Sequence, residues 1–229
     1  ILLLPALLAL LLMILQIALL AQAKFVVNYA AYSAARAASV VTSTRAESVR
    51  TGRIEDRNRI NLNDPDSPKL AFIRHAAALP LVGISPLWSP EVFQATGAAP
   101  IPSLAVPMRQ VAAIFPASAG ETNLSEQLLA RAHYAYNKDN VSVEIIQENG
   151  RRDGVFRDHE QITVRITFRY YLAVPFANRL FGKRYYGGGL FNTSGWYYPI
   201  TEQYTAVNEG EPVFPRNQSP RESDIRIED

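Results

Sequence analysis

Cysteine is absent from the 229 residues, which excludes disulfides, thiolate metal sites and cysteine nucleophiles together. A charge excess is absent as well: 23 Lys and Arg against 21 Asp and Glu leave a net charge of +2, no case for nucleic acid as a partner. Histidine is scarce. His75, His133 and His159 have no metal-ligand spacing, and His159-Glu160 lacks the second histidine that a zinc-protease helix needs four residues after the first. Gly187-Gly188-Gly189 lacks the Lys-Ser/Thr of a phosphate loop and precedes a strand pattern, so it reads as a flexible hairpin loop. Arg179, Arg184 and the nearby tyrosines have the chemistry to stack on sugars or bases, but a half-buried sheet surface accounts for them more simply. The Asn-X-Ser triplets at Asn123, Asn140, Asn192 and Asn217 match a glycosylation pattern that is short and common. No catalytic, cofactor or metal constellation emerges, and a non-enzymatic protein is expected.

What is there begins with a long uncharged run. Between Ile1 and Ala23 the only polar residues are Gln16 and Gln22. As a helix this run is roughly 34 Å long, enough to cross the hydrocarbon core of a bilayer. Core helices rarely run so far without charge or a polar face, and a signal-peptide core is shorter. Pro5, Leu8, Leu12 and Leu15 are therefore expected in the anchor. The chain opens inside this run without Met, so a cleaved leader or missing upstream residues are expected.

Lys24 to Thr51 contains neither proline nor glycine and is rich in alanine, the best helix former. A continuous helix from Pro5 to about Arg50 is predicted. Val26, Ala30, Ala34, Ala37 and Val41 form a stripe of mostly small residues, which lets another helix or a sheet approach closely. Lys24, Arg36, Arg45, Arg50, Arg53, Arg57 and Arg59 outnumber the acids after the anchor. Taken alone they would place the C-terminal side in the cytoplasm, but missing upstream charges leave orientation open.

Gly52–Asp66 reads as a linker. Ser67-Pro68 is a helix start, followed by Leu70, Ile73 and Ala77 at helical spacing, with Pro80 limiting the helix. Recurring prolines make the stretch from Leu81 to Pro116 irregular, with at most short helices near Glu91 and Met108. A further short helix is predicted from about Leu124 to Lys138, with Leu128, Leu129, Ala132 and Tyr136 as its apolar side. Strand alternation follows in Val141-Val143-Ile145 and, without a break, in Ile162 through Val174 up to Pro175. Trp196–Val207 is an aromatic strand in which Pro199 suggests an edge position. The tail 216–229 has two large aliphatics, Ile225 and Ile227, whose spacing suits strand addition to a neighbouring chain.

Leu2-Leu3-Leu4-Pro5-Ala6-Leu7-Leu8 and Asn28-Tyr29-Ala30-Ala31-Tyr32-Ser33-Ala34-Ala35-Arg36-Ala37-Ala38 resemble the TadE/TadG-type pseudopilins of tight-adherence (Flp) pili. The likeness covers about the first 40 residues, and loosely the late strand Tyr170–Asn178 that holds Pro175. Members usually carry a prepilin-peptidase site and a glutamate before the apolar run; neither is present, and the glutamate is expected just upstream of Ile1. The resemblance implies insertion in a bacterial inner membrane as a single pass, with the body in the periplasm or in an extracellular pilus.

The expected architecture is α+β: a membrane or filament helix (1–23), its amphipathic continuation (24–52), an irregular and short-helical region (53–140), an antiparallel β domain (141–215) packed on the helix, and a polar tail (216–229). Asn28, Ala30, Ala34, Ala35, Arg36 and Ala37 are the expected helix-packing and assembly residues. The expected partners are membrane lipid and other pilin-like or envelope-complex subunits in an oligomeric assembly. Neither a cofactor nor nucleic acid is expected. The leading functional expectation is a pilin-like structural subunit; the alternative is a permanently anchored scaffold of a secretion or envelope complex.

Overall fold

A computed structural model describes residues 3–47, 52, 54–64, 67–86, 128, 131–132, 134–151, 153–157, 159–186 and 194–208. The expected short helices near Glu91 and Met108, the triple glycine, and the tail with Ile225 and Ile227 lie outside these residues.

The chain is α+β. Helix α1 spans Leu3–Ser43, built mostly of leucine, isoleucine and alanine in its first half, with alanine the commonest residue in its second. It ends about seven residues before the expected Arg50. The cause is the run Val40-Val41-Thr42-Ser43-Thr44, where branched and hydroxylated side chains replace alanine. Thr42 Oγ1 donates to Ala38 O at 2.6 Å, Ser43 Oγ to Val40 O at 2.8 Å and Thr44 Oγ1 to Val41 O at 3.0 Å. Such bonds compete with the helical ladder. Absence of proline and glycine did not by itself extend the helix.

The chain then turns back. β1 (Ala46–Glu47) pairs antiparallel with β2 (Ile54–Glu55), so the expected linker holds a short strand. Asn58 N returns to Thr42 O at 2.7 Å, filling one of the carbonyls that a helix end leaves open. Helix α2 (Pro68–Leu81) starts as expected: Ser67 Oγ accepts from Leu70 N at 3.1 Å and Pro68 opens the first turn. Pro80 does not stop it. The helix reaches Leu81 and tightens into a 3₁₀ turn over Val82–Ile84. Leu70, Ile73 and Ala77 are buried against α1.

Residues 128, 131, 132 and 134–136 are helical; Ala132, Tyr134 and Ala135 are buried there, while Leu128 is exposed and Tyr136 half-buried. Four antiparallel strands follow: β3 (Val141–Gln147), β4 (Gln161–Tyr171), β5 (Lys183–Tyr186) and β6 (Ser194–Val207), in the order β3-β4-β6-β5. Between β4 and β5 lies one helical turn, α3 (Ala177–Phe181).

The alternation read along β4 becomes two faces. Ile162, Val164, Ile166 and Phe168 are fully buried and face the core that α1 shares with the sheet. On the outer face Thr163 pairs with Thr205 at 2.8 Å, Thr167 with Thr201 at 3.0 Å, and Arg165 with Glu144 at 3.3 Å. Pro199 fits because β5 covers only Ser194–Tyr197 of β6. Its partner Arg169 donates its N–H to Asn140 O on the other side, so Arg169 and Pro199 form a non-hydrogen-bonded pair. The proline nitrogen thus faces the uncovered side of β6, where no ladder bond is lost.

Candidate functional site

Helix α1 is one element in two environments. From Leu3 to Ile17 most of its large aliphatic side chains stand open; Leu4 is 75% and Leu8 54% exposed. Of the four expected anchor residues, Pro5, Leu8 and Leu15 lie on this open surface and Leu12 is half-buried. Among the described residues α1 is the one helix long and apolar enough to span a membrane. From Ala23 onward the helix enters the core, burying Ala23, Val27, Ala30, Ala31, Ala34, Ala35 and Ala38. This stripe faces α2 and the sheet strands β4 and β6.

The expected packing set divides accordingly. Ala30, Ala34 and Ala35 are fully buried within the chain itself. Ala37 is half-buried, and Asn28 and Arg36 are exposed. The stripe therefore runs through Val27, Ala31, Ala34 and Ala38 rather than through Val26 and Ala37, which flank it. Opposite lies an open face carrying Phe25, Tyr29, Arg36 and Val40, with Arg36 Nη1 donating to Tyr32 OH at 3.3 Å. Tyr32 packs edge-on against Tyr204 of β6 with ring centroids 5.0 Å apart. Lys24 pairs with Glu202 at 3.5 Å, an exposed contact worth little.

The junction of the two halves is Gln16. It is fully buried, and Val174 N donates to its Oε1 at 3.2 Å; its Nε2 has no hydrogen-bond partner. Val174 belongs to the connection from β4 into α3. Immediately after it, Ala177 N donates to Pro175 O at 2.8 Å, closing a γ-turn with Phe176 at its centre, φ 66° and ψ −52°. That backbone region strains a bulky residue by about 1–3 kcal/mol. Ala177 is buried beneath the turn, whereas Phe176 and Leu180 are 72% and 69% exposed. Gly182 closes the turn tightly: a Cβ there would lie 2.6 Å from Leu172 Cδ1 and 2.8 Å from Asn178 O.

At the far end of α1 the buried Lys69 donates its ammonium to Asp56 O at 2.7 Å and Thr42 O at 3.3 Å. Burial pulls its pKa down to about 8, against the opposing pull of Glu55 and Asp56. A cleft of about 190 Å³ beside it is lined by Glu55, Asp56, Arg59, Asn61 and Asp64, among others. Glu55 Oε1 accepts from Asn61 N at 3.3 Å and its Oε2 has no partner. On the β3–β4 connection, burial raises the pKa of Glu160, but bonds from the Arg151 side chain and from Arg157 N at 2.6 Å outweigh it and hold the carboxyl low. His75 shares a 2.8 Å hydrogen bond with Tyr136. Among the described residues no three His, Asp or Glu side chains converge on a metal-sized site.

Gln16, Phe176 and Leu180 did not stand out in the sequence as functional. Gln16 carried a signal: it is seven and eleven residues before Ala23 and Val27, in line with the buried stripe. Phe176 and Leu180 carried none, because their exposure depends on the fold of the turn. No protein-family model matches the chain, no curated protein matches it, and no solved structure matches it.

Proposed function

We propose that this chain is a single-pass, non-enzymatic structural subunit of the pilin-like kind, of the TadE/TadG type that its first 40 residues resemble. One observation carries the reading. The first half of α1 is mostly open, with Leu3, Leu4, Leu7, Leu8, Leu10, Leu11, Ile14, Leu15 and Ile17 exposed, while its second half is the spine of an α+β body. Leaving those side chains in water costs on the order of 10 kcal/mol, comparable with the whole stability of a domain. Lipid, or a bundle of like helices, must cover them. With no family model matched, the assignment to this type rests on the residues themselves.

In this reading the anchor sits in a bacterial inner membrane and the body lies in the periplasm or in a pilus. The buried alanines serve the body's own core, so contacts between subunits fall on the open face with Phe25, Tyr29, Arg36 and Val40. The test is fractionation of cells expressing the chain with a tight-adherence assembly system. A pilin-like subunit appears with sheared surface fibres, or is needed for them to form. A chain that stays in the inner membrane, with fibres unaffected by its deletion, is the anchored scaffold instead.

A further inference from the structure

The turn that caps Gln16 lies too low on α1 for a body standing wholly in water. Gln16 is bonded to Val174, so the connection into α3 meets α1 at that level. The uncharged run continues for about two more turns beyond Gln16, to Ala23, before Lys24 brings the first charge. On the side away from the body Ile17, Ala18 and Ala21 remain exposed, so α1 still presents apolar surface above the junction. Leu12 and Met13, one turn below Gln16 on the same face, are half-buried, so the covered side reaches still further toward the anchor. A bilayer edge that follows the uncharged surface passes above Gln16 and takes in the turn beside it.

The turn is built for that position. Phe176 and Leu180 are the large apolar side chains that it leaves open, at 72% and 69% exposure. They flank α3, Phe176 at its N-cap and Leu180 in its single turn, while Ala177 between them is buried. Arg179 and Lys183 are exposed next to them, with long stems and charged ends suited to lipid phosphates. The γ-turn at Phe176 and the close packing at Gly182 hold this arrangement against the end of β4.

We propose that Phe176 and Leu180 form a second membrane contact, a foot that enters the interfacial layer of the bilayer on the body side and fixes the body's tilt relative to the anchor. This rests on the anchor reading above. The occupant is lipid rather than protein because α3 packs against α1 near the level of Gln16, where the surface of α1 is still apolar and uncharged.

The chain has no cysteine, so single labels are specific. The full chain is reconstituted in phosphatidylethanolamine–phosphatidylglycerol vesicles with an environment-sensitive fluorophore at Ile14→Cys, Leu180→Cys or Ser142→Cys, the last on the outer face of the sheet. Arg179→Cys repeats the foot measurement should position 180 disturb packing. Lipids brominated near the ester are expected to quench the labels at 180 and 179. Lipids brominated deep in the chain quench the label at 14, and position 142 keeps its emission with both. Quenching at 14 with none at 179 or 180 overturns the foot and leaves the anchor intact. No quenching at 14 overturns both. A label at 180 shielded from aqueous iodide yet unaffected by brominated lipid means a protein covers it, which also overturns the foot.

Discussion

Lys69 illustrates how one buried side chain links stability to pH. Its ammonium caps the end of α1 through Thr42 O and holds the returning chain through Asp56 O. Burial lowers its folded pKa to about 8, while the unfolded chain keeps the ordinary value of 10.5. Between those values the unfolded state binds more protons, so stability rises with pH across the window. Below about 8 both states are protonated and the cost of the buried charge is fully present. Burial acts oppositely on tyrosine: Tyr136 is pushed up to about 12 and Tyr134 is raised as well, so the unfolded state loses these protons first and stability falls above pH 10. Urea midpoints should therefore climb from about pH 8 toward pH 10, by on the order of 2 kcal/mol, and then drop. Lys69→Met should flatten the climb and leave the drop; an unchanged climb would mean that another group causes it. The alanines of α1 give a second test at this scale. Ala34 is fully buried and Ala37 half-buried. Ala34→Leu should cost about 1–3 kcal/mol through overpacking, and Ala37→Leu distinctly less. Equal losses in thermal melts of the two variants would contradict the packing described.

Among the elements, α1 has the most divided role. Its first half has little to pack on, so a charge there acts on insertion rather than on folding. Leu8→Arg should cost roughly 2.5–3.5 kcal/mol of insertion free energy if the position lies near the bilayer centre. Carbonate extraction should then release a larger share of the variant than of the parent chain; equal retention would count against an anchor. The sheet shows how far local pattern reaches. The alternation in β4 named its buried residues because a strand's two faces have a period of two and only one face meets α1. Pro199 was legible as an edge residue because it lacks an N–H, although β6 is interior to the sheet where β5 covers it. The end of α1 was legible in principle in the hydroxyls of Thr42, Ser43 and Thr44, but it competes with alanine-rich sequence before it, and the outcome depends on Asn58 and Lys69 taking up the freed carbonyl of Thr42.

For the whole molecule, the division between anchor and body predicts their separability. The core begins at Ala23, and the bond from Val174 to Gln16 ties the body to the helix seven residues nearer the anchor. A chain shortened to begin at Gln16 should keep a cooperative melt and native circular dichroism while leaving the membrane fraction. A chain shortened to begin at Ala21 should fold as well but melt lower, since Val174 N then loses its acceptor, at a cost of about 1–3 kcal/mol. Loss of folding in the first truncation would make the anchor half part of the fold.

The sequence by itself determined what depends on neighbours a few residues away. It determined that residues 3–40 are helical, that the first half of that helix is apolar all round, that α2 starts at Ser67-Pro68, and that β3, β4 and β6 are strands. Propensity, capping and periodicity are local, and they act before any tertiary contact forms. Only the tertiary structure decided which alanines are buried, because Ala34 and Ala37 are equivalent until α2 and the sheet choose a side of α1. Only the tertiary structure made Gln16 a junction, since its partner Val174 lies 158 residues away. It alone left Phe176 and Leu180 open beside the anchor, because their exposure follows from a backbone turn held by contacts with distant elements rather than from any pattern along the chain.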